Sequence, residues 1–197
     1  MKIVRNNNVK IIYNLNIIVT MLLALFTAQI SSASIISIGD EKQHSYVGAA
    51  KCKMCHKKEK KGLQYEIWQG SAHSEAYKLL GTPEAMEVAI KRGVENPQED
   101  ANCLRCHTAG YDAPPELRGR KFDITEGVGC EACHGPGGDY YKSRVMKRLR
   151  AGIIEPASVG FVKADESTCR NCHNSDSPTP KEFVFEEMWA KIAHPIP

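Results

Sequence analysis

Every cysteine of this chain belongs to a C-x-x-C-H unit, eight thiols in four units. The units are Cys52-Lys53-Met54-Cys55-His56, Cys103-Leu104-Arg105-Cys106-His107, Cys130-Glu131-Ala132-Cys133-His134 and Cys169-Arg170-Asn171-Cys172-His173. Two thiols one helical turn apart, followed at once by a histidine, form the attachment pattern of a c-type haem. The thiols become thioethers on the porphyrin edge, and the adjacent imidazole reaches the iron. The expected cofactor is therefore haem c, covalently attached in four copies. Cys52, Cys55, Cys103, Cys106, Cys130, Cys133, Cys169 and Cys172 would bind it, with His56, His107, His134 and His173 as proximal ligands. Zinc sites also use paired C-x-x-C, but they do not ask for a histidine after every pair. A disulfide framework gives the four histidines no role.

The count of axial ligands is the next constraint. Four irons offer eight axial positions, and the chain has seven histidines. Once the four motif histidines are used, His44, His73 and His194 remain as distal candidates. At least one iron is then five-coordinate, takes another ligand such as Met146, or borrows a side chain from a neighbouring chain in an oligomer. A bis-histidine haem has no open position and moves electrons. An open iron could take a small diatomic or peroxide, and a methionine would close the site and raise its potential.

The elements that must position these groups are mostly helical. Cys52–His56 reads as opening a short helix that carries the first haem. Leu63, Ile67, Gly70, His73, Tyr77 and Leu80 fall on one face of a helix expected over 63–80. Thr82 and Pro83 read as the cap and first turn of another helix, running to about Arg92. Asp100 or Asn102 can cap the helix of the second motif. Residues 110–127 read as loop and 140–150 as a strongly basic helix. An apolar helical stripe, Phe185, Met188, Trp189 and Ile192, ends at His194 and is stopped by Pro195. The glycines around Cys130–His134 supply bends where backbone passes a flat macrocycle.

Residues 1–33 have the form of a secretory signal, with a basic front (Lys2, Arg5, Lys10), an apolar run from Ile17 to Ala28 and small residues at Ser31-Ser32-Ala33. The run is short of the ~20 residues that span a bilayer comfortably, so cleavage is expected; left uncleaved, it would be the chain's membrane attachment. Residues 34–47 read as a loose leader and 48–197 as the tetrahaem domain. Covalent haem attachment takes place outside the cytoplasm in bacteria, which predicts a periplasmic or extracellular protein.

The formal charge of +3 is matched by the three basic residues of the signal. The remainder is near neutral and gives no reason to expect nucleic acid as a partner. Six lysines, Lys51, Lys53, Lys57, Lys58, Lys60 and Lys61, surround the first motif. They read as a solvated face or as partners of haem propionates, or more sharply as a docking patch for an acidic redox protein.

Several of these pieces, in this order, resemble the cytochrome c-554 family of tetrahaem periplasmic electron carriers. They are the first motif, Trp68-Gln69-Gly70-Ser71-Ala72-His73, the second motif, Gly127-Val128-Gly129-Cys130-Glu131-Ala132-Cys133-His134-Gly135-Pro136-Gly137, the fourth motif and a terminal histidine. The resemblance implies a mostly α protein with long loops, a multihaem cytochrome c whose closely packed haems form the core. It implies His73 as distal ligand of the fourth haem, His194 as that of the third, and a five-coordinate second haem on His107. The family's histidine after G-P-G, which ligates the first haem, is absent here, so Met146 and His44 are its candidate replacements. The expected function is a secreted relay of single electrons between redox partners, most consistent with a non-enzymatic carrier. The alternatives are a reductase or peroxidase at one open haem, acting for example on nitric oxide, and a subunit of a multihaem conduit.

Overall fold

The structure is a computed structural model that describes residues 42–194. The signal at 1–33, most of the expected leader and the stop at Pro195 lie outside the described residues. Short helices joined by long loops make up the fold, and no strand occurs among the described residues beyond an isolated parallel bridge between Tyr46 and Arg118.

The motif helices are α1 (Ala49–His56), α5 (Ala101–His107), α6 (Cys130–His134) and α8 (Glu166–Arg170). Between the first two come α2 (Gln64–Gln69), α3 (Ala76–Leu79) and α4 (Pro83–Lys91). The basic helix α7 (Ser143–Arg150) and the C-terminal α9 (Phe185–Ile192) complete the set. Local chemistry sets several starts. Thr82 Oγ1 accepts from the Ala85 N–H at 3.2 Å, and Asp100 accepts from Asn102 N–H at 2.8 Å. Asp165 and Thr168 form a reciprocal capping box on α8.

The expected single helix over 63–80 is broken. Gly70 ends α2, Ser71 is extended (φ −95°, ψ 160°), and a 3₁₀ turn over Ala72–Glu75 follows. The reason lies in two serines that satisfy backbone carbonyls locally. Ser71 Oγ donates to Trp68 O at 2.7 Å, and Ser74 Oγ donates to Gln69 O at 2.9 Å. The periodic face is real, but the chain kinks at Ser71 and carries His73 off the axis of α2.

The described end of the leader, Lys42–Val47, is also not loose. Tyr46 N–H donates to Leu117 O, Gly119 N–H to Tyr46 O and Gly138 N–H to Ser45 O, each at 2.8 Å. Val47 is buried.

Among the described residues the buried apolar side chains are Val47, Ala49, Leu80, Ala89, Leu104, Ala113 and Tyr140. Three of the seven are alanine, so the polypeptide by itself offers a thin interior for its length.

Candidate haem-binding sites

Thiols of different motif helices lie near enough to perturb one another. Cys130 of α6 beside Cys52 of α1, with burial, holds the Cys52 thiol well above its ordinary range, and Cys52 Sγ lies 4.0 Å from Gly48 O. Burial, with Cys169 and Cys130 beside it, pushes the Cys133 thiol up to about 11. Burial and the neighbouring Cys106 push Cys172 up to about 12, and its Sγ lies 3.9 Å from Arg105 O. The first motif thus neighbours the third, the third the fourth, and the fourth the second.

Each proximal ring except that of His173 has an acceptor at Nδ1. His56 Nδ1 is 3.2 Å from Gln64 Oε1, His107 Nδ1 is 2.7 Å from Ala76 O, and His134 Nδ1 is 3.3 Å from Val162 O. An N–H donated from Nδ1 leaves the lone pair on Nε2, the arrangement that second-sphere partners impose on metal-binding histidines. His173 is held instead by stacking on Phe183, with ring centres 4.7 Å apart.

Two of the three distal candidates face motif histidines. The rings of His73 and His173 are 6.1 Å apart, centre to centre, and those of His134 and His194 are 5.8 Å apart. A metal–imidazole bond of about 2 Å on each side, plus about 1 Å from nitrogen to ring centre, asks for roughly 6 Å between trans imidazoles. Both pairs fit an iron between them. Burial lowers the pKa of all four rings, which favours the neutral, ligating form. His194 Nδ1 is buried with no hydrogen-bond partner, an orphan of the kind that a bound group accounts for.

The remaining candidates sit differently. His44 Nδ1 lies 2.8 Å from Asp139 Oδ2, and its ring packs on Gly160. Asp139 also pairs with Lys42 at 2.6 Å. Met146 is half-buried on the inner face of α7 beside Val145.

The third motif is the hub. Trp68 Nε1–H donates to Val128 O at 2.8 Å, and Val128 N–H donates to His73 O at 2.9 Å, so the two most distinctive blocks of the sequence are bonded to each other. Gly127 (φ +78°) has to be glycine there, since a Cβ would lie 2.6 Å from His73 O. On the other side, Gly135 (φ +74°) passes against Gly160 O. Tyr140 Oη–H donates to the carbonyls of His134 and Gly135 at 3.0 and 2.7 Å.

Two carboxylates that motif reading does not single out as anchors hold this hub to α1. Helix α1 starts at Gly48, which has no side chain to cap it. Its free N–H groups are met from a distance: Glu131 Oε2 accepts from Gly48 N–H at 2.8 Å, and Glu126 Oε2 accepts from Ala49 N–H at 2.7 Å. Glu131 Oε1 accepts from Val47 N–H at 2.9 Å and from Gly137 N–H at 2.6 Å. Burial pushes both carboxyls up, against the backbone donors that favour the charged form. The available signal was that Glu131 is the acidic residue inside a motif; its donors on the first-motif side are 83 and 84 residues away.

No three His, Cys, Asp or Glu side chains converge as a metal-ion site among the described residues.

Comparison with known proteins agrees. Residues 51–135, which carry the first three motifs, match the family model described as cytochrome c554 and c-prime. Cytochrome c-554 of Nitrosomonas europaea is 33% identical over 108 residues, covering 50% of this chain and 43% of that protein. Multiheme cytochrome MtrA of Shewanella baltica is 26% identical over 116 residues, covering 54% of this chain and 34% of that protein. The matched part therefore spans less than half the length of either relative. No solved structure matches this chain.

Proposed function

We propose that this chain, whose residues 51–135 match the cytochrome c554 and c-prime family model, is a secreted tetrahaem carrier of single electrons. Its broader nature is that of a multihaem electron-transfer cytochrome with covalently bound haem c and redox protein partners. When bound, haem c supplies a one-electron iron couple.

The residues divide the work of holding it. The eight motif cysteines tether four macrocycles, and His56, His107, His134 and His173 supply the proximal nitrogens. His73 supplies the distal nitrogen opposite His173, and His194 the one opposite His134. Gln64, Ala76 O and Val162 O orient three proximal rings. His44 and Met146 are the candidates for closing the first site, and His107 is left with its sixth position open. The macrocycles fill the interior that the polypeptide leaves thin.

The observation that carries this reading is the pair of histidine–histidine separations, 6.1 and 5.8 Å, each joining a motif histidine to one outside the motifs. A periplasmic or extracellular location is supported by the signal-like residues 1–33 and by the site of covalent haem attachment. No helix of the described residues is long and apolar enough to cross a membrane.

A second reading, reduction of nitric oxide or a peroxide at the haem on His107, rests on seven histidines for eight axial positions. A neighbour's side chain completing that site, as in a conduit, rests on the same count. Electron paramagnetic resonance of the resting holoprotein tests the ligand set on which all three readings rest, and a wholly low-spin spectrum would exclude chemistry at an open iron. The carrier reading expects low-spin bis-histidine signals from two irons at least, and a high-spin signal only from the haem on His107. High-spin signals from all four irons would overturn the ligand assignments.

A further inference from the structure

The basic residues are not spread evenly over the molecule. Residues 51–61 and 142–150 together hold eleven Lys and Arg against one acid, Glu59. The rest of 42–197 holds twelve basic and twenty acidic residues. The two basic segments are far apart in sequence but adjoin in space. Lys51 Nζ lies 5.4 Å from the centre of the Tyr141 ring, one residue before Lys142 and the start of α7. Lys57, Lys58, Lys60 and Lys61 are exposed on one segment, and Lys142, Arg144, Lys147 and Arg148 on the other. Helix α7 has no acidic residue, so its charge is not balanced along its own length.

This surface includes the helix of the first motif, and Cys55 is the exposed cysteine among the eight. A thioether formed at Cys55 would therefore lie at the surface, beside these lysines. A molecule positive around one redox group and negative elsewhere is oriented during encounter by a negative partner.

We propose that this composite basic face, α1 with residues 57–61 and α7, is the docking surface for an acidic redox protein, and that the first haem is the port through which electrons cross. The proposal rests on the electron-carrier reading above.

The test uses the holoprotein and two one-electron donors: reduced flavodoxin, a small acidic flavoprotein, and photogenerated lumiflavin semiquinone, which is small and uncharged. Expected for the wild type is a rate with flavodoxin that falls steeply with salt, and a rate with lumiflavin that does not. The quadruple variant Lys58→Glu, Lys60→Glu, Lys147→Glu, Arg148→Glu should react with flavodoxin at least about tenfold more slowly at low salt. It should lose most of the salt dependence while keeping its lumiflavin rate. If the quadruple variant fails to load haem, the pairs Lys58→Glu/Lys60→Glu and Lys147→Glu/Arg148→Glu report on each half separately.

An equal loss in a control variant, Lys163→Glu/Lys181→Glu, would overturn the proposal, since net charge and not this face would then matter. Slowing with both donors together with shifted haem potentials would also overturn it, because these side chains would be serving the chain's own propionates. Unchanged flavodoxin kinetics with lost binding to phosphatidylglycerol vesicles would assign the face to a lipid surface instead. Wild-type haems that lumiflavin fails to reduce would count against the carrier reading itself, a different failure from any of these.

Discussion

The first and fourth motifs are alike in sequence and are held in opposite ways. Helix α1 has no cap of its own and is fixed by Glu126 and Glu131, buried or half-buried carboxylates that reach it from the third motif. Helix α8 is fixed by its own neighbours: Asp165 caps it, and Arg170 pairs with Glu166 at 2.9 Å on its surface. None of the α8 residues is buried. The contrast shows two ways to hold a haem-binding helix. One uses long-range bonds that weld motifs together before any prosthetic group is considered. The other uses local bonds and leaves tertiary placement to the groups the helix carries and to the His73–His173 pairing.

The sharpest way to break this contrast is to disarm the long-range anchor. Glu131→Gln places an amide NH₂ against backbone N–H donors and removes the charge from several bonds. Burial already raises this carboxyl, so the cost comes from buried donors left without an acceptor, about 1–3 kcal/mol each, and a loss of about 2–4 kcal/mol is expected in chemical unfolding of the holoprotein. A loss under about 1 kcal/mol would mean the weld is not what holds α1.

His73→Ala tests the fourth motif, where the contrast places the burden on ligation. One low-spin signal should convert to high-spin, while the signal from the His134–His194 pair persists. Loss of both would show that the two haem environments are not independent. Glu126→Gln is milder than Glu131→Gln, because Glu126 is half-buried and meets the N–H groups of Ala49 and Ala50 alone; about 1–2 kcal/mol is expected by the same unfolding measurement. Asp165→Ala should cost about 1 kcal/mol, through the cap alone, and hydrogen exchange should show the change confined to α8.

The smallest effect comes from Asp139, which ties the chain's described start to the segment after the third motif. The Lys42 ammonium, then the His44 ring, hold its carboxyl below the ordinary aspartate range. A lowered folded pKa contributes stability above the unfolded value, near 4, and that contribution is lost as pH falls through the folded one. The side chain is 38% exposed, so solvent screening keeps the contribution below about 1 kcal/mol. Comparing Asp139→Asn with wild type by unfolding at pH 7 and at successively lower pH should show a small difference that shrinks as the pH falls below the ordinary aspartate range.

These contrasts also explain what could be read from the residues alone. The motifs were readable because C-x-x-C-H is a local pattern set by one turn of helix. The caps Thr82 and Asp100 were readable for the same reason. The break at Ser71 was hidden because hydrophobic spacing continued through it while two serine hydroxyls redirected the backbone. The packing of Lys42–Val47 was hidden because its partners are backbone groups of residues 117–119 and 138 and the carboxylate of Glu131. Nothing in the spacing of a glutamate announces that its donors lie more than eighty residues away. His73 and His194 were nameable as ligands, the family resemblance implied the fourth and third haems for them, and their rings lie 6.1 and 5.8 Å from those of His173 and His134.

Intact mass under denaturing conditions, on protein purified from its native host, addresses the whole account in one reading, because thioether-bound groups survive unfolding. The account predicts the mass of the chain, less any removed signal, plus four haems. A mass without haem, or with zinc found in place of iron, would contradict it.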